Sequence, residues 1–265
     1  MTSIEIAPGK TRIGWIGTGV MGRSMCENIL KKGFSVTVYN RTRSKLLPLQ
    51  QLGAAAAATA AEAAANSDIV CLMVGTPEDV RSLGDVGARK GTLTVMAGGD
   101  EEKVRALQPL FEAVGTNIIY AGPAGSGEGQ RMKLCNQITL CTNLVGLAEG
   151  LLFAERAGLD IEKTLKVLSG GGAASWSVST YGPRIRDGDY RPGFFVHHLI
   201  KDLKLALEEA ARLKLALPGL GLALQLYQAL EAQGGGPLGV HALKLALQNI
   251  NKENKTIKDI VEKMA

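Results

Sequence analysis

Three glycines, Gly17, Gly19 and Gly22, stand in the run Gly-Thr-Gly-Val-Met-Gly. A short apolar stretch, Arg12 to Ile16, leads into them, and Met21, Met25, Ile29 and Leu30 follow at helical spacing as far as Gly33. Where a strand ends in glycines and a helix begins, the backbone can approach a pyrophosphate and the first helical N–H groups point at it. Gly17, Thr18, Gly19, Val20, Met21 and Gly22 are therefore candidates for holding a dinucleotide. Glycines also serve a plain tight turn, so the surrounding strand, turn and helix carry the reading more than the glycines alone.

Phe34 to Tyr39 alternates β-branched and aromatic residues and predicts a second strand, which completes a βαβ unit. An acid at the end of that strand would grip a ribose 2′-hydroxyl. Here the strand runs into Tyr39-Asn40-Arg41-Thr42, with no carboxylate. Arg41, with Asn40, Thr42 and either Arg43 or Lys45, suits a 2′-phosphate through charge-assisted hydrogen bonds, so NADP is expected over NAD. A solvated basic loop is the bland alternative.

The elements that must position these groups read as two domains in 265 residues, 1–122 and 123–265. After the βαβ unit, the alanine run Ala54 to Ala58, continuing to Ala65, favours helix on propensity. Strands are expected at Ile69 to Val74, Thr92 to Ala97 and Asn117 to Tyr120, with one amphipathic helix over Glu101 to Val114. The glycine-rich segment 122–129 reads as a hinge. Beyond it Ile138, Leu144, Val145, Leu147, Leu151 and Leu152 predict a long central helix, with further helices at Ile161 to Leu168, Lys201 to Leu215, Gly219 to Ala232 and Val240 to Ile250. The expected class is α/β, a Rossmann-type doubly wound sheet, abridged, followed by an all-α C-terminal domain.

Composition narrows the partners. Charged residues make up 21% and the net charge is +5, spread without a dense basic run, which suits an anionic small molecule better than nucleic acid. Aromatics at 5% offer little platform for stacking bases. Cys26, Cys71, Cys135 and Cys141 lie in apolar surroundings without Cys-x-x-Cys spacing and predict buried, reduced thiols. The first ten residues lack a signal-peptide pattern and no apolar run is expected to reach membrane-spanning length, so a cytoplasmic protein is expected. His197 and His198 are adjacent, without a supporting acid or cysteine cluster, and no metal is expected.

The glycine motif, the Asn-Arg-Thr after the second strand and Gly125-Ser-Gly-Glu-Gly-Gln-Arg-Met-Lys-Leu-Cys-Asn-Gln137 together resemble the β-hydroxyacid dehydrogenases. The 3-hydroxyisobutyrate dehydrogenase-like and glyoxylate or succinic semialdehyde reductase branch, in its plant-type members, is most similar, over nearly the whole chain. The resemblance implies that Lys133 is the general acid or base. It implies that Asn136 and Gln137 orient substrate, that Phe194 lines its pocket and that Asp202 holds the active site together. Val74, Gly75 and Asp79 match positions lining the cofactor, and Lys201 one beside the nicotinamide. The implied reaction moves a hydride between NADP and a small 3-hydroxy acid or short aldehyde acid. The apolar long helix suggests a homodimer or homotetramer through the helical domain.

The resemblance breaks between Arg81-Ser82 and Gly84-Asp85. Family members place there two strands, a helix and a Ser-Gly-Gly loop, on the order of 40–50 residues, too much for an ordinary loop deletion. Leu83 alone bridges the two sides here. Either a normal enzyme stands behind a shortened sequence, or the chain truly lacks the loop that grips the substrate carboxylate. The second case leaves a catalytically impaired, dinucleotide-binding or scaffold protein as the alternative function.

Overall fold

A computed structural model describes residues 5–73, 86–253 and 256–264. The chain divides into two compact units, Met1–Gln130 and Arg131–Ala265. The predicted cofactor residues Val74, Gly75 and Asp79, and the junction at Ser82–Gly84, lie outside the described residues.

The first unit is α/β. Ile13, Trp15 and their neighbours form β1 (Arg12–Ile16), which pairs in parallel with β2 (Ser35–Tyr39) on one side and β4 (Ile69–Leu72) on the other. A two-residue strand, β3 (Ala55–Ala56), extends β2, giving the order β3-β2-β1-β4. Helix α1 (Val20–Lys31) lays Cys26 and Ile29 against this sheet and ends before Gly33, whose φ of 88° is a left-handed conformation suited to glycine. A 3-10 turn (Arg43–Leu46), α2 (Leu47–Gln51) and α3 (Ala60–Ala65) complete the first βαβαβ half. After α4 (Val86–Lys90), strands β5 (Leu93–Gly98) and β6 (Gly115–Gly122) pair in parallel as a separate two-stranded sheet. Between them lie α5 (Glu101–Ala106) and α6 (Gln108–Val114), and α6 adds Leu110, Ala113 and Val114 to the core around Trp15.

Two helical expectations fail here for identifiable reasons. The alanine run does not begin a helix, because Ala55 and Ala56 pair with Thr37 and Val38 at the sheet edge; helix starts only after Thr59, whose hydroxyl accepts from Glu62 N at 3.1 Å. Backbone pairing overrides propensity. The single helix expected over Glu101 to Val114 is two, because Pro109 has no N–H to continue the first and sits instead in the opening turn of the second.

The second unit is helical: α7 (Glu128–Arg156, beginning in the first unit), α8 (Ile161–Gly170), α9 (Trp176–Arg186), α10 (Val196–Arg212), α11 (Pro218–Leu230), a π turn (Glu231–Gly235), a 3-10 turn (Val240–Ala242), α12 (Leu243–Ile250) and α13 (Ile257–Glu262). Contrary to the expectation above, α7 is long and apolar enough by length and composition to cross a membrane. Its Cys141, Leu144, Leu147, Leu151 and Leu152 are core of this unit, packed with Leu199, Leu203, Leu220 and Tyr227, as in the central helix of a soluble bundle. It is not apolar all round, since Thr139, Asn143 and Gly146 are exposed. Helix α9 has no counterpart in the sequence reading; Ser175 caps it by accepting from Val178 N at 3.1 Å, and Val178, Tyr181 and Ile185 bury its inner face. The four cysteines are free, but Cys135 is exposed rather than buried. Burial pushes the thiols of Cys26, Cys71 and Cys141 up to about 12, 11 and 11.

A buried aromatic stack joins α9 to the 3-10 turn Val240–Ala242. His241 lies 4.8 Å from the Tyr181 ring and 5.8 Å from Tyr190, and its Nε2 donates to the Asp189 carbonyl at 2.7 Å. Desolvation holds the imidazole down to about 4 from 6.5, the Asp189 hydrogen bond opposing it. Between those values the unfolded chain takes up a proton that the folded chain refuses, so stability is complete above about pH 6.5 and falls towards pH 4. Denaturant midpoints measured across that window are expected to slope downward with acid in the parent protein. His241→Phe, which keeps a ring in the stack, is expected to lose that part of the slope; an unchanged slope assigns it elsewhere.

Candidate functional site

In the first unit the glycine turn is built for close backbone approach. Gly17 has φ 98° and its N–H donates to the Tyr39 carbonyl at 2.9 Å, tying the end of β1 to that of β2. A Cβ on Gly22 would run into the Gly17 carbonyl oxygen, so only glycine lets α1 start this close to the turn. At Gly19, the N-cap, no side chain accepts from the helix and a Cβ would meet open space. The first turn of α1 carries no acid and its N–H groups keep their positive end towards that space. Thr18 is 3% exposed, and its hydroxyl has no partner among the described residues. An orphaned donor beside a bare helix start and a glycine cradle fits a phosphate-bearing ligand.

The end of β2 completes this station. Asn40 is committed to the turn: its Oδ1 accepts from Thr18 N at 3.1 Å and its Nδ2 donates to the Thr42 carbonyl at 3.0 Å. Arg41, Thr42 and Arg43 are exposed beyond it. Asn40 thus ties the glycine turn to the start of the basic loop. Met21, a candidate with them, is half-buried in the opening turn of α1.

In the second unit a polar cluster forms between α7 and α10. Lys133 and Gln137 are one helical turn apart, and Lys133 Nζ donates to Gln137 Oε1 at 2.9 Å. Asn136 Nδ2 donates to the same oxygen at 2.9 Å. On its other side Gln137 Nε2 donates to Asp202 Oδ2 at 2.7 Å, and Lys201 Nζ lies 3.3 Å from Asp202 Oδ1. Gln137 is wholly buried, so its amide is fixed by donors on its oxygen and a carboxylate at its nitrogen. Lys133 remains exposed, with its Nζ 5.8 Å from the centre of the Phe194 ring, within cation–π range. The loop that sets Phe194 is clamped by Val240 N donating to the Phe194 carbonyl and Val196 N to that of Leu238, at 2.9 and 3.0 Å. All five residues singled out in this unit, Lys133, Asn136, Gln137, Phe194 and Asp202, together with Lys201, therefore fall in one connected cluster.

His197 is spent on structure: its Nδ1 donates to the Gly236 carbonyl at 2.8 Å and its ring stacks on Phe195. Among the described residues no group of three or more His, Cys, Asp or Glu side chains could hold a metal ion.

Residues 12–84 and 82–122 match the model of the NAD binding domain of 6-phosphogluconate dehydrogenase, and 127–246 the model described as NAD-binding of NADP-dependent 3-hydroxyisobutyrate dehydrogenase. The chain is 42% identical over 301 residues to the Arabidopsis thaliana protein named "Probable 3-hydroxyisobutyrate dehydrogenase-like 1, mitochondrial", covering 95% of this chain and 89% of that one. It is 33% identical over 288 residues to the 2-hydroxy-3-oxopropionate reductase of Escherichia coli K12, covering 89% of this chain and 97% of that protein. A solved structure of 3-hydroxyisobutyrate dehydrogenase from Mycobacterium tuberculosis with L-serine superposes with a TM-score of 0.77 at 25% identity, over 90% of this chain and 99% of the other.

The chain belongs to the β-hydroxyacid dehydrogenase family, with pyridine-nucleotide-binding domains and a 3-hydroxyisobutyrate dehydrogenase-like helical unit. The internal break is visible in the same comparisons. The first family model matches in two pieces that meet at 82–84. Since 95% of 265 residues is about 252, about 49 of the 301 positions aligned with the Arabidopsis protein have no counterpart here.

Proposed function

We propose that this protein is an NADP-dependent oxidoreductase acting on a small 3-hydroxy acid or short aldehyde acid, with Lys133 as general acid and base. The observation that carries the reading is the chain Lys133–Gln137–Asp202, a cation held at an exposed position by a buried, doubly anchored amide. When bound, the cofactor supplies a hydride to the substrate carbonyl carbon. As the carbonyl oxygen gains charge, Lys133 Nζ gives it a proton; in the oxidative direction Lys133 takes the hydroxyl proton. Asn136 orients the substrate, Gln137 does so through the Lys133 and Asn136 side chains that its buried amide holds, and Phe194 walls the pocket. Asp202 keeps Gln137 in register, with Lys201 beside it towards the nicotinamide. Purified protein mixed with NADPH and glyoxylate or succinic semialdehyde tests the reading through cofactor oxidation.

NADP preference rests on Arg41 and its neighbours. Arg41→Ala removes one charge-assisted partner of a 2′-phosphate and is expected to weaken NADPH binding roughly tenfold to hundredfold while leaving NADH binding nearly unchanged. Equal losses for both cofactors would refute that role.

A second reading is favoured by a separate observation. Among the described residues no strand pairs with β4 on its outer side, and about 49 aligned positions are absent. A protein that binds NADPH without turning it over would fit this, as a catalytically impaired member of the family. Self-association through the helical unit, as a dimer or tetramer, is supported by the exposure of Phe153, Val167 and Trp176.

A further inference from the structure

We infer that Arg131 is a positioning residue for the reaction: its ion pair with Glu209 fixes the turn of α7 that carries Lys133. This role rests on the reading of Lys133 as the proton donor and adds what holds that lysine in place.

Lys133 lies in a part of α7 that packing does not fix. The first buried residue of the helix, which starts at Glu128, is Gln137. Before it, Arg131, Met132, Lys133, Cys135 and Asn136 are all exposed. Across from this stretch α10 offers only Ala206 and Ala210, and with Leu134, Cys135 and Ile138 of α7 they line a gap of about 160 Å³. Interlocking side chains therefore do not set the spacing of the two helices here. Polar ties do. At one end Gln137 Nε2 donates to Asp202 Oδ2, and at the other Arg131 Nε donates to Glu209 Oε1 at 2.8 Å. Lys133 stands between the two in sequence. Without the Arg131 bond the turn can pivot about Gln137, and an ammonium one helical turn from that pivot leaves the place where it can serve a carbonyl oxygen.

Glu209 is half-buried and shared. It also accepts from Arg212 Nε and Nη2, at 2.8 and 2.6 Å, three residues on in the same helix. Arg212 first, and then Arg131, hold its carboxyl down to about 2, so it is charged throughout the neutral range. One carboxylate thus meets two arginines, of which Arg131 crosses to α7 and Arg212 stays on α10. If the cluster only lent surface charge or stability, losing either arginine would have the same effect. A positioning tie makes them differ.

The test compares Arg131→Ala, Glu209→Gln and Arg212→Ala in the full chain, by steady-state rates with NADPH and glyoxylate or succinic semialdehyde and by amide hydrogen exchange over residues 128–137. Arg131→Ala and Glu209→Gln are each expected to lower kcat about threefold to fivefold, the range a part-exposed ion pair can hold, with KM and the Kd for NADPH unchanged. Both should also speed exchange in that segment. The double variant should be no slower than either single one, because both remove the same tie. Arg131→Lys keeps a cation able to reach Glu209 and should restore most of the rate, while Arg212→Ala should change neither rate nor exchange. Equal losses for the two arginines, a loss in KM in place of kcat, or exchange that stays the same in Arg131→Ala overturns the role of the ion pair and leaves Lys133 as the proton donor. A parent protein without turnover, or turnover that survives Lys133→Ala, overturns the reading of Lys133 and this role with it.

Discussion

Lys133→Ala is expected to lower turnover by about 10²–10⁴-fold, the usual contribution of a positioned proton donor, with little change in melting temperature or in the Kd for NADPH. The side chain is exposed, and alanine is the best helix former, so α7 should tolerate the change. Gln137 would lose one of two donors to its oxygen but keep Asn136 on that oxygen and Asp202 at its nitrogen. Lys133→Arg keeps a cation at this place but not one that can give up a proton, and it is expected to restore little. Steady-state rates with NADPH and glyoxylate, measured beside a thermal melt, separate loss of chemistry from loss of fold. Turnover that survives the alanine change would sink the mechanism.

The largest effect on stability is expected at Glu155. Its carboxylate pairs with the ammonium of Lys244, whose side chain is 5% exposed in the core of the helical unit, whereas Glu155 is 34% exposed. Removing the carboxylate strands a buried cation, and Glu155→Ala should cost about 3 kcal/mol, at the lower end for buried pairs because water already screens the carboxylate. Removing the cation is different. Lys244→Met fills similar volume with apolar atoms and leaves Glu155 able to reach water, so it should be close to neutral. Urea unfolding of the two variants is expected to show this asymmetry, and equal losses would refute it.

The parts of this fold legible in the sequence are those where one local signal decides. The apolar run before Gly17, the alternation from Phe34 to Tyr39 and the spacing of Leu144, Leu147 and Leu151 each matched the element that formed. What was not legible depended on distant partners. Ala55 and Ala56 become strand because β2 has a free edge at Thr37 and Val38. Helix α9 forms from a Gly-, Ser- and Pro-containing stretch because Tyr181 and Val178 have a core to enter, although Ser175 before it was a readable cap. The candidate site divides in the same way. The glycine turn and the Lys133–Gln137 spacing are local, whereas the role of Asp202 was suggested only by family resemblance, since its partner lies 65 positions away. The use of Asn40 as a tie between two turns, seen in its bond to Thr18 N, had no sequence signal beyond its place after the strand.

The outer side of β4 has a consequence for how the protein behaves in a tube. Val70 and Leu72 are 42% and 66% exposed on a strand that no other strand flanks among the described residues. An open strand with bare aliphatic side chains is a template for another chain's backbone, and a net charge of +5 opposes only weakly the approach of a second molecule. Among the described residues Ile69–Leu72 is therefore a place where a second molecule can add a strand.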